Sequence, residues 1–236
     1  MSVCYIYHYP KNPNFVIMKT LLSLFLLCAL NAPAQQHINT HLKKQLDSIL
    51  IVDQQYRSNV EAILEASDPH IKDSIAKAMS ISASMVVPYL MELQGNVDST
   101  NQLFIEDVFK KYGYPGKTLV GAPTNEVAYY VIQHSDKISK YIELIRQASK
   151  KKELPFTLVA MMEDRYLMDN NQEQIYGTQG WRMPDKNGNM ENFIWPIKDP
   201  ANVNALRKRS GFKTTVEEYA ASLGITYRVV KLSELQ

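Results

Sequence analysis

Between Ile38 and Ala66 the apolar side chains Ile38, Leu42, Leu46, Ile49, Tyr56, Val60 and Ile63 recur at steps of three, four or seven. That period puts them on one face of a helix, so the segment reads as one long amphipathic helix. In "SDPHIKDSIAKAM", Asp68 as N-cap and Pro69 at the first helical position open a second. Pro88 is expected to kink or end it, because proline removes a backbone donor and crowds the preceding turn. "DSTNQLFIEDVFKKYG" reads as a third helix, capped near Asp98 or Ser99 and closed by Gly113.

"YGYPGKTLVGAPTN" is a loop by its glycine and proline content. "NEVAYYVIQHS" and "DKISKYIELIRQASKKK" then give two short helices meeting near Ser135 and Asp136, the second closed by its lysines. "FTLVAMMEDRYLMD" gives another, ending at Asn170 and Asn171. Only beyond it does the pattern change: "QEQIYGTQGWRM" and "MENFIWPI" flank "DKNG", with Asn187-Gly188 as the turn of a β-hairpin. Asp199-Pro200 opens a further helix closed by Gly211, and Thr215 opens the last. The expected fold is mainly α: a single helical domain with one β-hairpin near the C-terminal third.

Met18 to Ala34, "MKTLLSLFLLCALNAPA", has the lysine, the short apolar run and the Ala-Pro-Ala end of an export signal cleaved near Ala34. Residues 1–17 match no part of such a signal and read as an upstream extension, leaving 35–236 as the mature domain. Cys28 follows Leu27, where a lipid-attachment site would want a small residue, so an apolar-core cysteine is the simpler reading. Cys4 and Cys28 are the only cysteines, so the mature domain is expected to hold no disulfide, no thiol nucleophile and no thiolate metal site. An exported domain of this kind would stand on its core alone.

Lys11 and Lys19 lie before Ala34, which leaves the remainder balanced at 24 basic and 24 acidic side chains. A nucleic-acid partner would want a basic excess or stripe, and none is present. No later apolar run is long enough for a membrane span, so the mature domain is expected to be soluble in the periplasm or outside the cell.

His134 is a candidate acid or base, since its ordinary pKa lies near neutrality, although a lone histidine on a tyrosine-rich helix is more often a satisfied structural donor. Asp164 and Arg165 are helix neighbours that do not face each other, so each needs a partner elsewhere; an inward Arg165 would offer a fork for a carboxylate or phosphate. Asp53 and Arg57, four apart, can pair on one helix face, a contact worth about 0.3–0.5 kcal/mol if exposed. Asp98 and Asn101 are explained as caps.

Taken in order, "DQQYR", "DSTN", "GYPGKTLVG", "QHSD", "DR" and "QIYGTQ" form a set that resembles a bacterial family known only as a domain of unknown function. The resemblance runs from about Leu42 to Ala221. It implies that Asp53, Gln54, Arg57, Gln133, His134, Asp164, Arg165, Gln174, Tyr176, Gly177 and Gln179 are signature positions. Tyr114 stands where the family's loop carries tryptophan. The resemblance brings no activity with it.

Three readings follow for these residues. Gln54, Arg57, Gln133, Arg165, Gln174, Tyr176 and Gln179 could line a pocket for a neutral polar small molecule, a glycan or a peptide. Alternatively, His134 with Asp164 or Asp53 could serve a metal-independent hydrolase, Arg165 stabilising developing charge. Asp53 and Asp164 could also be the two carboxylates of a glycosidase. No GxSxG or HExxH motif is present, and nothing implies a cofactor or a metal. Third, the set could be a buried network that only fixes how the helices and hairpin dock.

Overall fold

The computed structural model describes residues 38–65, 69–184 and 188–235, apart from the side chains of 54–62, 64, 65 and 69. The upstream extension, the export signal, the Asp68 cap and Asn187 of the hairpin turn lie outside the described residues.

The chain forms α1 (Thr40–Glu65), α2 (Pro69–Met79), α3 (Val86–Tyr112), α4 (Lys117–Val120), α5 (Val127–Gln133), α6 (Ile138–Lys150) and α7 (Phe156–Asp169). The hairpin β1 (Gly180–Pro184) and β2 (Met190–Ile194) follows, then α8 (Val203–Arg209) and α9 (Val216–Ser222). The fold is mainly α with one antiparallel hairpin, in which Gly180 pairs with Ile194 and Pro184 with Met190.

Asn39 caps α1, its side-chain oxygen accepting the Leu42 N–H at 3.0 Å. The stripe behind it buries Leu42 and Leu46 with Ile105 and Val108 of α3, Val127, Val131 and Ile132 of α5, Ile142 and Ile145 of α6, and Val159 and Met162 of α7. Each such side chain taken fully out of water contributes about 1.5–3 kcal/mol. A second cluster joins the hairpin to the C-terminal helices through Ile194, Ile197, Val203, Val216, Ala220 and Ile225. Thr215 caps α9 in a capping box with Glu218, and Gly113 closes α3 with φ +70°. Among the described residues no single helix is long and apolar enough to cross a membrane.

Four local expectations are corrected. Pro88 neither kinks nor ends α2, which stops at Met79; it is the third residue of α3, in the first turn, where a missing N–H forfeits no helical bond. Asp98 and Ser99 are not caps, nor is Asn101. All three lie inside α3, where Asp98 accepts from Gln94 Nε2 at 2.7 Å and the Ser99 hydroxyl donates back to the Gly95 carbonyl at 2.9 Å. The buried ladder Leu90, Gln94, Asn101 and Ile105 carries the helix through Gly95, outweighing a glycine penalty of about 1 kcal/mol.

The glycine- and proline-rich stretch after Gly113 is also more ordered than its composition suggests, since it holds α4 and a 3₁₀ turn at Thr124–Glu126. Tyr114 Oη donates to the Asn125 carbonyl at 2.8 Å, and Asn125 Nδ2 donates to the Glu153 carbonyl at 2.7 Å. Finally, the first strand is shorter than expected. "QIYGTQ" lies before β1, tied to the chain beyond β2 by a bridge between Gln174 and Ile197 and by the Trp195 N–H, which donates to the Gln179 carbonyl at 2.9 Å.

Candidate functional site

"QIYGTQ" leaves α7 by a turn at Asn171, whose φ is +54°, and folds back over the helix it has just left. The Asp164 carboxylate, fully buried, receives it: the backbone N–H groups of Ile175, Tyr176 and Thr178 donate at 2.7, 3.0 and 3.0 Å, and the Thr178 hydroxyl at 2.9 Å. Burial pushes this carboxyl up, and those four donors pull against it. On the loop's other side Arg207 of α8 is 1 % exposed. It donates to the Tyr176 carbonyl at 2.8 Å and to the Thr214 carbonyl at 2.9 Å, its guanidinium lying against the Phe212 and Tyr219 rings. The loop's N–H groups therefore face a carboxylate while one of its carbonyls faces a guanidinium.

Gln174 staples the loop's ends, with Nε2 donating to the carbonyls of Gln179 (3.1 Å) and Trp195 (2.6 Å) and Oε1 accepting the Gln179 N–H at 2.9 Å. The Tyr176 ring packs near Phe156 and Phe212. Gly177, at φ +68°, sits where an added Cβ would come within 2.8 Å of Ile197 and Val216 side-chain atoms.

The second polar region is an open cleft of about 450 Å³ lined by Leu50 of α1, Tyr130 and Gln133 of α5, His134, and Met161 of α7. The Thr124 hydroxyl donates to Asp47 at 2.6 Å, and His134 Nδ1 stands 3.7 Å from Asp53 Oδ2, so α1 and α5 run side by side in one direction. Asp53 is 1 % exposed, whereas His134 reaches solvent. At 3.7 Å the pair is within ion-pair reach but beyond hydrogen-bond length. The Gln133 amide has no hydrogen-bond partner among the described residues.

One turn along the same two helices from Gln133 and Met161 stand Tyr129 and Arg165. The buried Tyr129 hydroxyl and the buried Arg165 Nε each lack a hydrogen-bond partner. Burial pushes the Tyr129 phenol far up, and the positive charge of Arg165 acts against that rise. Gln179 joins the two regions, its Nε2 donating to the Met161 carbonyl at 3.2 Å.

A family model matches residues 54–231, three quarters of the chain. The chain belongs to DUF6624, a family of unknown function. No curated protein and no solved structure matches it. The DUF6624 match takes in Gln133, His134, Met161, Arg165, the whole "QIYGTQ" loop and Arg207, and begins one residue after Asp53.

The fold thus divides the sequence candidates. Asp53, Gln133 and His134 meet at the cleft. Gln179 reaches its α7 side through the Met161 carbonyl, and Arg165 is one helical turn beyond Met161. Asp164, Gln174 and Tyr176 belong to the loop, and the Asp164 oxygens are taken up by it, so Asp53 is the carboxylate that faces His134. The side chains of Gln54 and Arg57 lie outside the described residues. Among the described residues no three of His, Cys, Asp and Glu gather as a metal-binding group. Sequence reasoning missed Arg207, one of three basic residues in "RKR", because nothing local marks which of the three turns inward. It also missed Tyr129 and Met161, which read as ordinary helix residues.

Proposed function

We propose that the cleft between α1, α5 and α7 binds a small polar ligand, a peptide or glycan fragment, read by Gln133 and His134. What supports this is one contrast: at the loop Asp164, Gln174, Thr178 and Arg207 spend their polar groups within the fold, whereas at the cleft the Gln133 amide and His134 Nε2 are left over beside the apolar walls of Leu50, Tyr130 and Met161. An amide that can both donate and accept, next to an oriented imidazole and apolar surface, suits a ligand with alternating polar and apolar groups. The export signal read at 18–34 would place such ligands within reach outside the cytoplasm.

A second reading is favoured by the Asp53–His134 pair. The buried carboxylate stands 3.7 Å from Nδ1, within ion-pair reach, and if the two close to a hydrogen bond Nε2 could act as a general base, so the same cleft could hydrolyse what it binds without a metal.

A thermal-shift panel of short peptides and cell-wall glycan fragments tests the binding reading. His134→Ala and Gln133→Ala should change ligand-free stability by no more than about 0.5 kcal/mol while abolishing the ligand-induced shift. A panel that never shifts the wild type, or shifts that survive in both variants, would refute it. Hydrolysis would require product release by the wild type that is lost in both His134→Ala and Asp53→Asn.

A further inference from the structure

We infer that the ligand of this cleft carries a carboxylate, and that Arg165 and Tyr129 hold it; this rests on the binding reading above and replaces a neutral ligand with a monoanionic one. Arg165 makes no ion pair and no hydrogen bond with any described residue, and its Nε is buried. Its neighbour Asp164 cannot serve it, because that carboxylate is bound by Ile175, Tyr176 and Thr178. Tyr129 is fully buried, and its hydroxyl has no acceptor. A buried donor without an acceptor is costly, so two of them on neighbouring helices call for an oxygen-rich guest.

Neither residue lines the cleft itself; helix spacing sets both donors one turn beyond residues that do. Tyr129 is one turn from Gln133 on α5, and Arg165 is one turn from Met161 on α7; Gln133 and Met161 both line the opening. Guanidinium and phenol together present donors to two acceptor oxygens of one charged group. The charge balance favours a monoanion over phosphate. Among the described residues Arg165 brings one unpaired positive charge here, and Asp53 already sets a carboxylate beside His134, so a dianion finds no second positive partner among them. A bound molecule would then have its carboxylate between Arg165 and Tyr129 and its next polar group at Gln133 and His134, as the end of a peptide does.

The test compares N-acetyl-dialanine with its C-terminal amide, titrated into the full chain and followed by NMR at the Arg165 Nε–H, the His134 ring and the Gln133 amide. The acid should bind at least about tenfold more tightly than the amide and move the Arg165 signal. Arg165→Gln and Tyr129→Phe should each remove most of that preference. Tyr129→Phe should leave ligand-free stability unchanged or raised, since the lost hydroxyl bonds to nothing, and this keeps the test valid if Arg165→Gln folds poorly. Equal binding of acid and amide at Gln133 and His134 would overturn the carboxylate inference and leave the binding reading standing. The inference is also overturned if neither compound perturbs Arg165, or if inorganic phosphate does so and the acid does not.

Discussion

Asp164 and Arg165 are adjacent in sequence but about 100° apart around α7, and they serve opposite kinds of polar region. Asp164 faces a loop that satisfies it completely: three backbone N–H groups and a hydroxyl converge on one carboxylate, and Arg207 closes the loop from the far side. Arg165 is one turn from Met161 of the cleft wall, and its Nε and the Tyr129 hydroxyl are left without acceptors, as Gln133 at the cleft is left without a partner among the described residues. Hydrogen-bond completion separates the two. A saturated network stabilises one arrangement of the chain and has nothing left to offer a guest, whereas an incomplete one weakens the fold slightly and retains binding capacity.

That comparison is easiest to break at its strongest point. Asp164→Ala would strand four buried donors at once and should cost at least about 3 kcal/mol in urea unfolding, enough to approach the whole margin of a small domain. If the loss is below about 1 kcal/mol, water replaces the carboxylate and the loop is not the rigid member of the pair. Gly177→Ala should come next, losing about 1–3 kcal/mol, because its φ of +68° is unfavourable for alanine and the new methyl would press on Ile197 and Val216. A neutral result there would mean that the loop yields easily.

Glu106 offers a more exposed analogue of Asp164. Its side chain is 15 % exposed and accepts from Lys137 Nζ, Lys140 Nζ and Tyr141 Oη at 2.7, 2.8 and 2.7 Å. The bonds to Lys137, Lys140 and Tyr141 hold its carboxyl down at about 2, against an ordinary 4.5. Because the folded value is the lower one, the stabilisation is present above about 4.5 and fades as pH falls towards 2. Glu106→Gln should flatten the stability profile in that window, and parallel wild-type and variant profiles would show that the three donors contribute nothing there. The smallest effect of all belongs to the cleft, where His134→Ala should leave unfolding nearly untouched. A large loss would move His134 from the binding region to the structural one.

What was legible in the sequence follows range. The Ile38–Ala66 stripe, Gly113, Gly211 and the Thr215 cap act through backbone and side-chain contacts within one turn, and α1, the end of α3 and the start of α9 stand where those signals put them. Pro88 misled because a proline interrupts a helix or begins one depending on where the previous helix stops, and α2 stops at Met79. "QIYGTQ" misled in a different way. Its amides and phenol resemble ligand-reading groups, but Gln174 turns its amide onto the backbone of its own loop and only Gln179 reaches the cleft side.

The sequence by itself determined the mainly helical class, α1, the end of α3, the start of α9, the position of the hairpin and the family, because periodicity, caps and motif order are properties of neighbours along the chain. Tertiary structure alone decided that Asp53, rather than Asp164, faces His134, that Arg207 is the buried one of three basic residues, and that Tyr129 and Arg165 stand together without acceptors. Those outcomes depend on which helix faces meet, and a carboxylate carries no local mark of the donor that packing will bring to it from a distant part of the chain.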